Sequence, residues 1–343
     1  MMQTKIWRIT LDTNPEDCNL HCIMCEEHSE YSHFKQKLLE KTGSSRRVMP
    51  EQTIIKLVRE AAEMGVREII PTTMGDPLVS SNFELIARLA AENNIHLNVT
   101  HNGTFPRKTA TEWAEIIVPI TSDIKISWNG ATAKTAEAVM KGLNYEKALL
   151  DLEDFISFRD RYYLETGYYC RISFQLTFMR CNMLEIEQII ELAARLGIDR
   201  IKGHHLWVHN SEMEKQSFQL TDQTRKEWNQ IADRAKKVAE ELKKQGKNIL
   251  LENFDALQEG TASSIPESYE CPFLGNELWI SATGKISPCC APDALRQSLG
   301  EFGNISTVKL SELTESNHYK KLLSNYKNYE VCKKCNMRRP EIN

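Results

Sequence analysis

Cys18, Cys22 and Cys25 stand in the stretch CNLHCIMC, at spacings of four and three residues. They follow WRITLDTNPED, an alternating apolar run that reads as a strand leading into an Asn-Pro loop, so all three are placed on a loop. A disulfide framework would need the cysteine density of a small secreted scaffold. Ten cysteines in 343 residues, with no signal peptide ahead of them, fall far short of that. Zinc asks for four ligands from paired knuckles, and this cluster offers three. Core cysteines clustered by chance are an ordinary alternative, because free cysteine is often buried. The remaining chemistry is an iron–sulfur cluster held by thiolates, where three thiolates on four irons leave one iron open.

CNLHCIMC resembles the CxxxCxxC signature of radical S-adenosylmethionine enzymes. The resemblance implies a [4Fe-4S] cluster on Cys18, Cys22 and Cys25, its open iron chelated by the amino and carboxylate groups of S-adenosylmethionine. It also implies reductive cleavage of that cofactor to a 5′-deoxyadenosyl radical, which takes hydrogen from a substrate C–H bond. An electron donor such as flavodoxin or ferredoxin is implied with it. Met24 falls where relatives often carry an aromatic residue over the adenine.

The elements that must hold such a loop follow from residue 50 onward. PEQTIIKLVREAAEMG puts Ile54, Leu57, Val58 and Ala61 at helical spacing, with Gly65 as its stop. Further helices and strands alternate through NFELIARLAAENN, IHLNVTHNGT, TEWAEIIVPI, SDIKISWNG, a long helical region from Thr135 to about Tyr163, and YYCRISFQLTFMRCN. LEIEQIIELAARLG, DRIKGHHLW, another helix and NILLENF complete about six β/α units, which argues for a parallel sheet. The strands are only half apolar, so their pattern leaves open whether the sheet closes. The family resemblance implies an α/β fold with a partial (β/α)6 TIM-like barrel over residues 1–258. Two stretches read as loops: EEHSEYSHFKQKLLEKTGSSRR, and the linker-like EGTASSIPESYE at 259–270, where the domain boundary is placed.

Barrels of this kind carry their chemistry at the C-terminal ends of the strands. After the second strand, MGDP resembles the family's GGEP motif and implies that Gly75 and Asp76 hold the cofactor's amino group, with a shorter acid than usual. HNGT after the third strand resembles the TNG turn and points to Asn102 and Gly103 at the floor of the site. KISWNG resembles the SxDG segment, from which Ser127 is carried over as a contact to the cofactor's ribose or carboxylate. Lys141, in MKGLNYEKAL, falls near the position of a carboxylate-binding Arg, though an exposed helix lysine is the alternative.

Later strand ends should address substrate. Arg180 and Cys181 end the fifth strand, and Cys181 could return hydrogen to a substrate radical or be a structural thiol. GHHLWVHN gathers His204, His205, Trp207, His209 and Asn210, with His204 and His205 as candidates for a general base or substrate contact.

Beyond the linker, Cys271, Gly284 and Cys289 fit the C-x(9–15)-G-x4-C opening of SPASM and twitch domains, with ELWIS and GKISP reading as a hairpin about ATG. Cys271, Cys289, Cys332 and Cys335 would then hold one auxiliary [4Fe-4S] cluster in a small twitch-type domain over 259–343. Cys290 could replace Cys289 as ligand or act as a redox or hydrogen-donating thiol. Four thiolates in pairs also suit structural zinc.

A net charge of −4 gives no electrostatic case for nucleic acid, and no apolar run approaches the roughly 20 residues of a membrane span. With no targeting segment, the reducing cytoplasm is the expected compartment. Many relatives modify ribosomal peptides with an N-terminal recognition domain, for which the 17 residues before Cys18 leave no room. The expectation is therefore dehydrogenation or epimerisation of a small polar metabolite or natural-product intermediate. Modification of a ribosomally made peptide, by epimerisation or cross-linking, is the alternative, and a non-catalytic iron–sulfur or zinc protein is the rival of another class.

Overall fold

A computed structural model describes residues 6–72, 74–258, 266–291, 293–335 and 337–340. Its strands are β1 (Arg8–Leu11), β2 (His21–Cys22), β3 (Glu68–Ile70), β4 (His96–His101), β5 (Thr121–Ser127), β6 (Met140–Lys141), β7 (Arg171–Phe178), β8 (Arg200–His205), β9 (Leu250–Glu252), β10 (Glu277–Ile280) and β11 (Ile286–Ser287). The larger helices are α1 (Phe34–Thr42), α2 (Glu51–Glu63), α3 (Phe83–Glu92), α4 (Ala110–Ile117), α5 (Ala133–Val139), α6 (Tyr145–Thr166), α7 (Ile186–Leu196) and α8 (Asp222–Lys244).

One nine-stranded sheet runs β11-β10-β1-β3-β4-β5-β7-β8-β9, parallel throughout except for β11. Its two ends, β11 and β9, remain edges among the described residues, so the barrel is partial. Alternation along each strand divides the layers. Ile9, Ile69, Leu97, Val99, Ile124, Ile126, Ile172, Phe174, Leu176 and Ile201 join the core under the helices. The intervening residues line a polar lumen.

Helix ends follow the expected chemistry. Thr109 caps α4 with a capping box to Glu112, and Gly197 ends α7 in the left-handed region at φ 76°. Three expectations need correction. The segment after Cys25 contains α1, held on its N-terminal side by hydrogen bonds of His28 and Ser29 and on its C-terminal side by the Arg46–Asp17 and Arg47–Glu16 ion pairs rather than by apolar burial. The region expected as one helix from Thr135 to about Tyr163 is α5, the short β6 and α6, because Gly142 turns at φ 93° just before Asn144 caps α6. NILLENF, placed after the last barrel helix, forms β9, so seven parallel strands precede the C-terminal segment where about six units were expected.

Residues 259–265 of the expected linker lie outside the described residues. Past them β10 pairs in parallel with β1 from Arg8↔Glu277 to Leu11↔Ile280, so the C-terminal segment extends the barrel sheet itself. The expected hairpin is present: β10 and β11 are antiparallel, and Gly284 turns at φ 81° where a Cβ would stand 2.8 Å from Asn304 Oδ1. Four short helices, α9 (Asp293–Arg296), α10 (Leu310–Glu315), α11 (Asn317–Asn325) and α12 (Glu330–Lys333), close the chain.

Candidate active site

The three cysteines of CNLHCIMC lie past the C-terminal end of β1, half-buried and unpaired. The loop is fixed from two sides. β2, which contains Cys22, pairs antiparallel with β6 in the register His21↔Lys141 and Cys22↔Met140. On the other side Gly75 (φ 71°) comes so close that a Cβ there would stand 2.4 Å from the Asn14 carbonyl and 2.6 Å from that of Asp17. Only glycine allows this approach.

Asp76, next in the chain, is buried, and its carboxylate accepts the backbone N–H groups of Leu78 at 2.9 Å and Asn102 at 2.8 Å. Burial pushes its pKa up to about 7 despite those donors. Its oxygens therefore serve the loops around the site rather than an open pocket. The Asn102 amide donates to Asn19 Oδ1 at 2.8 Å, within the cysteine loop, and lies 3.6 Å from Cys18 Sγ. The His28 backbone N–H donates to Cys25 Sγ at 3.4 Å. Burial first, then the Asp76 charge, lifts Cys18 to about 11, and burial lifts Cys22 and Cys25 as well. Such thiols keep their protons in the apo protein and yield them to a coordinating metal. Three sulfurs on one tight loop, with N–H donors aimed at them, fit a cluster that leaves one iron open.

Ser127 is half-buried at the end of β5 and registers with Gln175 of β7 across the lumen wall. Met24 is half-buried against the core edge. Lys141 is exposed on β6, so it is a ribbon residue beside the cysteine loop and not the helix lysine considered as its alternative.

The histidine group expected after β8 divides. His204 faces the lumen, where Gln175 Nε2 donates to Nδ1 at 3.0 Å and Nε2 donates to Thr177 Oγ1 at 3.2 Å. His204 is open to the lumen, yet the crowding barrel wall, then the Lys202 charge, lowers its pKa to about 4, and the ring is neutral at pH 7. His205 is a correction, because strand alternation turns it out of the lumen against Phe178 and Trp228, with ring centroids at 5.4 and 4.8 Å. His209 Nδ1 instead reaches Glu26 at 3.7 Å and joins the β8 loop to the cysteine loop. Cys181 is exposed on the turn after β7, its N–H donating to Gln216 Oε1 at 2.9 Å.

Below these groups lies an ionic floor that sequence reading missed. Arg8 pairs with Glu68 at 2.5 Å and with Glu277 at 3.5 Å. Asp123 is contacted by Arg200, Arg171 and Lys125, and Glu252 joins Arg200 at 2.9 Å and Lys202 at 2.7 Å. Burial lowers Lys125 to about 8. The signal was present as every second residue in RIT, SDIKIS, RISFQLT and RIKGHH.

The second set of thiols gathers at the opposite strand end. Cys271 precedes β10, and Cys289 and Cys290 follow the returning β11; Cys332 is pushed up to about 12 by burial and then by Cys289, Cys271 and Cys335. Leu274 N–H donates to Cys271 Sγ and Ala291 N–H to Cys289 Sγ, both at 3.4 Å. Arg338, itself buried, donates to the carbonyls of Pro266, Glu267 and Tyr269, and Glu270 bridges Arg339, which draws the C-terminal CxxC beside Cys271. These sulfurs fit a fully ligated cluster.

A family model for the radical SAM superfamily matches residues 15–156, which hold the cysteine loop, Asp76, Asn102, Ser127 and Lys141. The chain carries a radical SAM domain. A second model, for the SPASM iron–sulfur cluster-binding domain, matches residues 271–336. The chain thus has two domains of kinds that bind [4Fe-4S] clusters, one holding the cysteine loop after β1 and the other the cysteines around β10 and β11. Among solved structures it resembles Streptococcus suis SuiB bound to S-adenosylmethionine, with TM-score 0.67 and 14% identity over 97% of this chain and 72% of that one. It also resembles SuiB bound to its precursor peptide SuiA, with TM-score 0.67 and 15% identity over 94% and 67%. Native anSMEcpe with bound AdoMet and the Kp18Cys peptide gives TM-score 0.64 and 16% identity over 96% and 86%. No curated protein sequence matches the chain. Among the described residues no helix is long and apolar enough to cross a membrane.

Proposed function

We propose that this radical SAM enzyme removes hydrogen from a carbon of a peptide substrate held in the barrel lumen. When bound, the cluster and S-adenosylmethionine supply the chemistry: one electron cleaves the cofactor to methionine and a 5′-deoxyadenosyl radical. Cys18, Cys22 and Cys25 would hold the cluster. Gly75 and Asp76 shape the loop beside it, Asn102 and Ser127 face the cofactor, Met24 covers it, and Lys141 offers a charge for its carboxylate.

The observation that carries this reading is the convergence on the cysteine loop. Gly75, Asn102 and the β2–β6 ribbon contact it from three separate loops, all at the strand end where radical SAM chemistry is run. Peptide as the substrate class is supported by SuiB and anSMEcpe, which share the fold and hold peptides. It replaces the small metabolite favoured by the sequence alone. The barrel domain would extend to residue 258 and the auxiliary domain from 259.

Neutral His204, held by Gln175 and Thr177, would orient a polar group of the substrate. Of the two spare thiols, Cys181 lies at the same strand end as the cysteine loop, and Cys290 lies with the auxiliary set. Return of hydrogen, hence epimerisation, would fall to Cys181. Oxidation of the substrate radical would pass an electron to the auxiliary cluster held by Cys271, Cys289, Cys332 and Cys335. A reductant such as flavodoxin or ferredoxin would supply the first electron.

The test is anaerobic reconstitution with iron and sulfide, reduction, and assay for 5′-deoxyadenosine with and without candidate peptides. Formation in the native chain and loss in the Cys18→Ala/Cys22→Ala/Cys25→Ala variant support the reading; equal formation in both overturns it. Deuterium uptake from solvent into a peptide would mark epimerisation, and loss of two hydrogens dehydrogenation.

A further inference from the structure

Helix α1 has no buried residue, yet it is held firmly beside the cysteine loop. On its N-terminal side His28 Nε2 lies 3.1 Å from the Pro15 carbonyl. On its C-terminal side Arg46 forks onto both oxygens of Asp17 at 2.6 Å, Arg47 holds Glu16, and the Met49 N–H meets the Thr13 carbonyl at 2.8 Å. Residues 13–17 lead directly into Cys18. A helix with no core contribution is thus fixed by a double ionic clamp at the mouth of the barrel.

Its outward chemistry is one-sided. Phe34, Lys37, Leu38 and Lys41 fall at i, i+3, i+4 and i+7 and share a face; Lys37, Lys41 and the neighbouring Leu39 are exposed, whereas Phe34, Lys35 and Leu38 are half-buried, with the Arg47 guanidinium over the Phe34 ring. The single acid of the helix, Glu40, is taken by Gln36 at 3.1 Å. Arg46 and Arg47 spend their charges on Asp17 and Glu16, and Lys35, Lys37 and Lys41 have no carboxylate partner among the described residues. A surplus of positive charge interleaved with apolar side chains therefore stands at the entrance of a chain whose net charge is −4.

We infer that α1 is a docking surface for an acidic stretch of the peptide substrate, with Lys35, Lys37 and Lys41 reading its carboxylates and Phe34, Leu38 and Leu39 its apolar residues. The inference rests on the peptide reading above. Charge complementarity of this kind governs encounter and register and weakens as salt rises.

The probe is a short fluorescein-labelled peptide of Glu and Leu, with a Lys-for-Glu counterpart as control, followed by fluorescence anisotropy on the full chain. The acidic probe should bind the native chain better than its basic counterpart, with an affinity that falls on adding salt. The Lys35→Glu/Lys37→Glu/Lys41→Glu variant should lose roughly tenfold or more. The Lys→Gln triple variant should give an intermediate loss, and both should keep the native melting temperature because none of the three lysines is buried or ion-paired among the described residues. Equal binding by native and charge-reversed chains, or equal binding of both probes, overturns the docking surface. Unchanged modification of peptides by the charge-reversed chain overturns it too, while leaving the peptide reading intact. Binding that depends on α1, with no peptide modified, supports the surface and counts against peptide modification.

Discussion

The carboxylate of Asp76 accepts the backbone N–H of Asn102 at 2.8 Å, and so binds the turn after β3 to the turn after β4. Asn102 passes the contact on to Asn19 within the cysteine loop. Two loops that must face one cofactor are thereby set by a single buried acid. Asp76→Ala is expected to leave the Leu78 and Asn102 donors unsatisfied and to cost about 2–3 kcal/mol. Thermal unfolding checks the cost, and S-adenosylmethionine affinity of the reconstituted protein should fall with it.

Gly75→Ala should be more damaging to the site than its size suggests. The added methyl would meet two carbonyls of the segment leading to Cys18 at 2.4 and 2.6 Å, on a backbone with φ 71°. A left-handed non-glycine alone costs of order 1–3 kcal/mol. Iron per reconstituted chain should drop, with the loss confined to the barrel cluster as read by electron paramagnetic resonance.

The two adjacent cysteines of the auxiliary set should differ. The Ala291 N–H already points at Cys289 Sγ, the arrangement seen also at Cys271 and Cys25. Cys289→Ala is expected to remove about four irons per chain, and Cys290→Ala to leave the total near eight. Equal loss in both variants would mean that the two thiols share the ligand position.

Asp123 sits 4% exposed among Arg200, Arg171, Lys125 and the Ser173 hydroxyl. Burial pushes its carboxyl up, and the cations more than offset this and hold it below the usual carboxylate range. Asp123→Asn removes the shared carboxylate from buried Arg200 and Lys125, leaving Arg200 only Glu252, and should cost about 3 kcal/mol, measured by denaturant unfolding of the apo chain.

His204 should remain neutral well below the usual imidazole range. Its folded pKa of about 4 lies under the unfolded value, so the unfolded chain binds the extra proton first. Stability from this group is therefore full above pH 6.5 and is lost as pH falls toward 4. Ring-proton shifts followed by nuclear magnetic resonance should show no His204 titration between pH 6 and 8.

Much of the fold was legible because its signals are local. The helical spacing of Ile54, Leu57, Val58 and Ala61 buries all four residues in α2. CNLHCIMC, MGDP and HNGT do meet in space, as order along a βα chain requires. What escaped depends on direction and on distance in sequence. His204 and His205 are neighbours in the chain but face opposite layers, and only the register Thr177↔His204 tells which one looks inward. The strands' polar alternation was noted as incomplete hydrophobicity, although it is the lumen lining itself. The likeness of MGDP to GGEP implies Asp76 as a contact to the cofactor's amino group, but it cannot show that the carboxylate also holds the backbone N–H groups of Leu78 and, 26 residues away, Asn102. The clamp of Arg46 and Arg47 on Asp17 and Glu16 spans about thirty residues of a segment that carries no periodic signal.

The parallel pairing of β10 with β1 also bears on how the chain is made. Arg8 leaves the ribosome well before its strand partner Glu277, which lies far along the chain. Until then β1 has β3 on one side and a row of unmet amides on the other, the kind of edge that invites pairing with another chain. Contacts of such long sequence separation form late and slowly. Pairing of the open edge of β1 is thus tied to synthesis of the auxiliary segment, and the barrel strands made before it carry an exposed edge that a chaperone could shield.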